Sequence, residues 1–408
     1  MTYKISGTKS ETTRVFVLDE SDWSIEYNSV ISGSGDYAIT TLSSGIKTVF
    51  GRTSEGEVIG YGRVDAMEIL MSSYTFLLYD DGDATNFGVV LEAGGSQSDL
   101  GANFSYAYRS AILPDKRVVV VGRNTSTEEV VVKCFLAGTT TEDWSYTVAN
   151  HLLYTYADVC VLTNGNIVVL WGDYDDEYIY FVILDSDGGL VQGVTNADTD
   201  ANTAYEDEGF DVTALADGGF FCHWMDDDES TIYGSIWNSN GTNRQATTWL
   251  DGSDYDFSSA IQFASGSIVI FEMDNKYAHF YSPTDLSDVS TYNDYSSESM
   301  VDYVYSAKLS TDKIALVFEA SDGNTYGSVL NDTGSKLIED KLILSSSKPV
   351  SFMALPDGTF LMQVAGGSEH GQNYYILDAD LNTVSGPTAA FTGITDDTYY
   401  YYLKGCAG

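Results

Sequence analysis

The sequence predicts an all-β chain: a small β-sandwich, then a seven-bladed β-propeller whose ring is closed by strands from both ends of the repeat region. Three observations predict it. A composition rich in Tyr (30) and Phe (18) and interrupted by 38 Gly suits many short strands joined by tight turns. A motif recurs at nearly constant spacing. Its last copy is divided between the two termini.

The repeat decides the fold, because a period of about 40–50 residues marks a propeller or another repeat array. Each copy is an extended run ending in an apolar anchor, a short polar turn, and a strongly apolar strand. The copies are SAILPDKRVVVV, DVCVLTNGNIVVLW, DVTALADGGFFCHW, SSAIQFASGSIVIF, YSAKLSTDKIALVF and SFMALPDGTFLMQV. Their anchors Leu113, Leu162, Leu215, Phe263, Leu309 and Leu355 are spaced 49, 53, 48, 46 and 46 residues apart. A further step of 48 reaches Leu403, where the chain stops before the partner strand. That partner stands at the other end as Tyr74–Tyr79 in YTFLLYDDGD. Residues 66–408 are therefore expected to form a closed ring of seven blades rather than an open solenoid.

Each blade is expected to hold four strands. In the copy anchored at Leu162 these are Asp158–Leu162, Ile167–Trp171, Tyr178–Leu184, and a fourth after the DSDGG turn at Asp185–Gly189. Equivalent turns are NSNGT at Asn238–Thr242, NDTGS at Asn331–Ser335 and DADLN at Asp378–Asn382. Asn, Asp and Gly suit them because such turns require positive φ. The DxDG look also suggests calcium, but no acidic residue completes a twelve-residue EF-hand loop after Asp185 or Asp378. Turn chemistry is the preferred reading, and no cofactor is expected, with Ca²⁺ the one left open.

Residues 1–65 lack the repeat and read as strands near Thr13–Leu18, Trp23–Ser29, Tyr37–Leu42, Ile46–Arg52 and Glu57–Val64. The GSGDYAI turn and strand at Gly33–Ile39, the LSSG turn at Leu42–Gly45 and the strand after it resemble the carboxypeptidase-regulatory-like (transthyretin-like) β-sandwich. Only ISGT at Ile5–Thr8 approximates the opening G-x-V segment of that family. The resemblance implies a non-catalytic spacer of the kind carried by secreted proteins and by structural proteins of tailed bacteriophages. The propeller itself lacks Trp-Asp dipeptides, paired kelch glycines and sialidase Asp-boxes. It bears a weak resemblance to the LxDGxxVVxW repeats of large bacterial adhesins.

The net charge of −41, from 60 acidic against 19 basic residues, repels phosphate backbones and argues against nucleic-acid binding. No apolar run is long enough to span a membrane as a helix, so no membrane insertion is expected. The opening MTYKISGTKS has no apolar stretch with a cleavage site, so no secretory signal is expected. The cysteines Cys134, Cys160, Cys222 and Cys406 show no metal-ligand spacing and read as buried thiols.

Strand alternation places the loops between second and third strands on the same face as the blade-to-blade crossings. These loops are acidic, and Asp173, Asp175, Asp176, Asp226, Asp227 and Asp228 are its leading binding candidates, for Ca²⁺, a cationic surface or polar sugars. A solvated rim that discourages edge pairing is the plainer reading. A second constellation stands four residues before each anchor, where Arg109, Asp158, Asp211, Tyr305 and Tyr399 are expected to ring a channel mouth. No metal site can be assigned. The histidines His151, His223, His279 and His370 share no offset within the repeat, and neither GxSxG nor HExxH occurs.

The function expected from these features is non-enzymatic: a virion structural protein of a tailed phage, serving as tail fibre, receptor-binding protein or capsid decoration. Its N-terminal domain would join other virion proteins while the propeller faces a host-surface glycan or protein. The alternatives are a carbohydrate-binding adhesin module of a bacterial surface protein and a glycosidase or lyase propeller.

Overall fold

In the computed structural model the described residues are the strands of the first 99 positions, most of 105–389, and 406–407. The chain divides into two compact units, Met1–Tyr74 and Thr75–Gly408. The first contains β1 (Tyr3–Lys9), β2 (Thr13–Asp19), β3 (Ile25–Ile31), β4 (Gly35–Thr41), β5 (Gly45–Arg52) and β6 (Val58–Ala66). They form a two-stranded sheet, β1-β4, and a four-stranded sheet ordered β3-β2-β5-β6.

The second unit is all β. Its opening strands are β7 (Thr75–Asp80), β8 (Asn86–Leu91) and β9 (Gln97–Asp99). There follow β10 (Ser105–Ile112), β11 (Val118–Arg123), β12 (Glu129–Phe135), β13 (Glu142–Val161), β14 (Ile167–Asp173), β15 (Ile179–Leu184) and β16 (Leu190–Asn196). The next group is β17 (Phe210–Ala214), β18 (Phe220–Asp226), β19 (Thr231–Trp237) and β20 (Asn243–Asp251). After it come β21 (Ile261–Gln262), β22 (Ile268–Phe271), β23 (Ala278–Tyr281) and β24 (Asp288–Tyr292). The last groups are β25 (Tyr305–Ser310), β26 (Lys313–Glu319), β27 (Thr325–Asn331) and β28 (Lys336–Leu344), then β29 (Lys348–Ala354), β30 (Phe360–Ala365), β31 (Asn373–Leu377) and β32 (Thr383–Ala389). The final strand, β33 (Cys406–Ala407), leaves its own end of the chain and pairs with β7, Cys406 opposite Phe76 and Ala407 opposite Thr75.

Six sheets result, in a propeller arrangement, rather than the seven separate blades expected. Five have four strands, one of them ordered β33-β7-β8-β9. The sixth has seven strands, β10 to β16, because β13 runs unbroken for 20 residues. Its first half pairs with β12 as far as Leu152, and its second half pairs with β14 from Leu153. Leu403, the expected centre of the closing strand, lies outside the described residues.

Inner strands lie side by side around the unit: β33 and β7 with β10, β10 with β13 of the same long sheet, β13 with β17, β21 with β25, β25 with β29, and β29 with β33. Between the sheets of β17 and β21, Ala260 N donates to Asp211 of β17. The series returns to its start, which makes a ring. Alternation within each second strand explains how the sheets stack. Ile167, Val169 and Trp171 of β14 join a core with Val119, Val121, Val130 and Val132, whereas Val168 and Leu170 join one with Phe220, Cys222 and Trp224. Both faces of the strand are buried, one against the β11–β12 end of its own long sheet and the other against the sheet of β18. Each fully buried Val, Leu, Ile or Phe contributes about 1.5–3 kcal/mol relative to exposure.

The anchors end the first strands and set their turns. Leu162 N donates to Asn166 O (2.8 Å) and Gly165 N to Leu162 O (2.9 Å). The same pair of bonds recurs at Leu113, Leu215, Phe263 and Leu355. Its fourth residue needs positive φ, supplied by Gly165, Gly218, Gly266 and Gly358, and by Lys116 at 75°. The predicted turns at Asp185, Asn238, Asn331 and Asp378 are built the same way between third and fourth strands.

Three long side chains tie inner turns and outer strands to outer turns further round the unit. Arg117 contacts Asp115 (2.8 Å) and Asp143 (2.8 Å) and reaches Asp187 (3.1 Å) in the turn after β15. Burial lowers its pKa and the three carboxylates raise it; the carboxylates prevail. Arg244 holds Asp217 (2.5 Å) and donates to Pro283 O (3.0 Å). Lys341 donates to Asp380 O and Asn382 Oδ1 (2.6 Å).

Candidate functional site

The described part of the acidic face centres on the end of β14. Asp173 closes that strand, and its main-chain N donates to Tyr178 O (3.0 Å), which fixes the base of the loop 174–177. Its side chain turns inward, only 4% exposed, and lies 2.7 Å from Nδ1 of His151, which is 24% exposed. His151 comes from β13 just before that strand changes partner, so the crossing segment reaches the end of β14 here.

Trp171 stands two residues before Asp173 on the same side of β14 and is paired across the ladder with Tyr180. The His151 ring meets both edge-on, with centroids 5.6 Å from Trp171 and 5.1 Å from Tyr180. Tyr178 packs edge-on against Tyr180 at 6.3 Å. An ionised carboxylate only accepts hydrogen bonds, so the Nδ1 of His151 carries the proton. In the neutral ring Nε2 is the remaining acceptor, flanked by Trp171 and Tyr180 and oriented through Nδ1 by the buried carboxylate. Such an imidazole can accept a hydrogen bond or a proton from a bound molecule.

Of the six acidic-face candidates, Asp173 is the one whose surroundings are described. Asp226 ends β18 opposite Thr231. Asp175, Asp176, Asp227 and Asp228 lie outside the described residues. His151 was missed because histidines were compared by offset within the repeat. The shared face of crossings and acidic loops was the signal that would have found it.

The second constellation has a different construction. Asp158 accepts from Val159 N (2.8 Å) and from Val212 N on the next first strand (2.9 Å). Arg109 Nε lies 3.7 Å from the Oδ1 that also accepts from Val159 N. Asp211 repeats the arrangement, accepting from Ala260 N (2.9 Å) and Thr213 Oγ1 (3.3 Å). Both carboxylates are nearly buried and are engaged with main chain. Arg109 and Asp158 are the pair brought together, within the long sheet, and Asp158 and Asp211 each reach the main chain of the next sheet. Tyr305 packs into the core between the last two sheets. Tyr399 lies outside the described residues.

The turns that suggested calcium are held by their own side chains. Asp185 Oδ1 accepts from the N of Asp187 (2.9 Å) and Gly189 (2.8 Å), and Asp378 Oδ1 does the same for Asp380 (2.9 Å) and Asn382 (2.8 Å). Among the described residues no cluster of three metal-ligating side chains occurs.

No family model and no curated protein matches the chain. Solved structures do. Puromycin hydrolase is 10% identical with a TM-score of 0.52, over 80% of this chain and 53% of that one. This chain thus spans about half of that enzyme. A candidate 6-phosphogluconolactonase of Bacteroides fragilis is 14% identical with a TM-score of 0.50, over 84% of this chain and 99% of that one. A Bacteroides caccae protein of unknown function is 10% identical with a TM-score of 0.43, over 82% and 99%. The fold is a β-propeller. At such identities the likeness shows the fold alone, and the finer sandwich resemblance of residues 1–65 gains nothing from it.

One expectation is corrected here. The chain was expected to be non-enzymatic because familiar nucleophile and metal motifs are missing. Propellers of this shape include proteins named as a hydrolase and as a candidate lactonase. Absence of those motifs is therefore no ground for excluding catalysis, and the expectation is withdrawn.

Proposed function

We propose that the protein is a ligand-binding propeller that takes a polar, uncharged or cationic small molecule at its acidic face. His151 is the group that accepts a hydrogen bond or proton from that molecule. The observation that carries this reading is the 2.7 Å contact between His151 Nδ1 and the buried Asp173. It orients an imidazole whose ring remains partly exposed beside Tyr178 and Tyr180. The net charge of −41 disfavours anionic ligands at such a site.

Selective ¹⁵N-histidine labelling tests it, because the chain has only 4 His. Neutral glycans, neutral esters and lactones, and polyamines are added in turn while the imidazole signals are followed. His151, assigned with His151→Asn, is expected to shift with any binder. Binding that leaves its signal unmoved contradicts the proposal.

We further propose that the seven-stranded sheet is two blades sharing β13, which gives the ring seven. The change of partner between Leu152 and Leu153 supports it, as do the seven anchors of the repeat. A virion setting, with virion partners and a host receptor, has no support among the likenesses above, and the chemistry of His151 does not depend on it.

A further inference from the structure

β16 is the last strand of the seven-stranded sheet and pairs with β15 on one side. Along its other side the main-chain groups have no ladder partner among the described residues. Sheet edges of this kind are ordinarily guarded by charged side chains or proline. The other outer strands follow that rule: β9 carries Asp99, β20 Arg244 and Asp251, β24 Asp288, β28 Lys336 and Glu339, and β32 Pro387. The sequence of β16, LVQGVTN, has neither guard. Leu190, Val191 and Val194 are exposed along it.

The next outer strand adds an aromatic surface to this rim. A Cβ on Gly241, in the turn before β20, would stand 2.5 Å from Gln192 Cγ, so that turn lies close against β16. Thr247 Oγ1 of β20 donates to Oδ1 of Asp198, just beyond β16 (3.0 Å). Trp249 lies on the same side of β20 as Thr247 and is 61% exposed. The charge around the rim is one-sided, because no Lys or Arg occurs between Lys133 and Arg244. Arg117 reaches the turn before β16 but is enclosed by Asp115, Asp143 and Asp187, and Arg244 holds Asp217.

We propose that β16 is a docking edge for an extended cationic segment of a partner protein, which joins the sheet as one more strand. Main-chain hydrogen bonds to the open edge supply affinity, and a segment alternating apolar and basic side chains supplies selectivity. Its apolar side chains cover Leu190, Val191 and Val194. Its basic side chains meet the surplus of acid around the rim and the ring of Trp249, whose face attracts a cation within about 6 Å. The edge is separate from the His151 site and does not depend on what binds there.

Fluorescence anisotropy of the full-length protein with a dye-labelled peptide of alternating Lys and Val tests it. Two controls are run beside it: the same peptide with alternate amides N-methylated, which keeps the charge but cannot extend a sheet, and a peptide of alternating Glu and Val. The first peptide is expected to bind, more weakly as salt is raised, and both controls to fail. Val194→Lys, which guards the edge, is expected to weaken binding about tenfold or more, and Trp249→Leu several-fold, with melting unchanged because both side chains are exposed. No binding, equal binding of either control, or binding indifferent to Val194→Lys overturns the proposal. So does binding lost in His151→Asn but kept in Val194→Lys, which assigns the peptide to the acidic face, or self-association that Val194→Lys abolishes, which assigns the edge to a second copy.

Discussion

Asp158 on one first strand accepts a hydrogen bond at 2.9 Å from the main-chain N of Val212 on the next. The bond joins residues 54 positions apart and links neighbouring sheets at their inner edge. Asp211 does the same to Ala260 one sheet further on. Carboxylates first read as a ligand collar are thus joints of the ring.

Asp158→Ala leaves the Val212 N–H without its acceptor and removes the neighbour of Arg109. Loss of such a buried, charge-assisted bond costs about 2–3 kcal/mol. Urea denaturation is expected to show the midpoint falling with an unchanged slope. Asp158→Asn, which keeps an acceptor oxygen, is expected to lose less.

The anchor turns allow a paired test. Nothing lies within 4 Å of a Cβ placed on Gly165, so Gly165→Ala costs only the positive φ, about 1 kcal/mol. Lys116 occupies the matching position with φ 75°. Lys116→Gly is therefore expected to be neutral or slightly stabilising in a thermal melt, an inversion that contact counting alone does not anticipate.

Cys134 gives a prediction in pH. Burial pushes its thiol up from 9.0 to about 12. In the native protein it is expected to resist disulfide reagents at pH 8 and to react once unfolded. A raised thiol pKa stabilises the fold fully below about 9, and that contribution falls as pH climbs toward 12. Cys222, buried and also raised, is expected to follow it.

His151→Asn and Asp173→Asn separate site from scaffold. Both are expected to abolish the binding detected by imidazole shifts, while the melting temperature changes by less than that of Asp158→Ala. Intact binding in both variants, measured by titration calorimetry, would remove His151 from the site.

Much of the ring was legible because its signals are local. Leu162 and Leu215 mark strand ends through the turns that follow them, and Asp185 and Asn331 mark turns by chemistry that acts within five residues. The joining of β12 to β14 through β13 was not legible, since nothing in Glu142–Val161 breaks the strand: it has no Pro or Gly. The His151–Asp173 pair was half legible. Its face followed from strand alternation, but its partner choice depended on where the crossing bends, which pairwise spacing does not encode. Asp158 was placed on its strand, but its main-chain bonds to Val159 and Val212 were not legible, because a buried acceptor and a ligand-binding carboxylate look alike in sequence.

The ring is closed by pairing of Cys406–Ala407 with Thr75–Phe76. Deleting Thr398–Gly408 and following thermal unfolding by calorimetry tests it most directly. The truncated chain is expected to lose the single cooperative transition and to aggregate through the exposed edge of β7. A transition unchanged in midpoint and enthalpy would contradict closure.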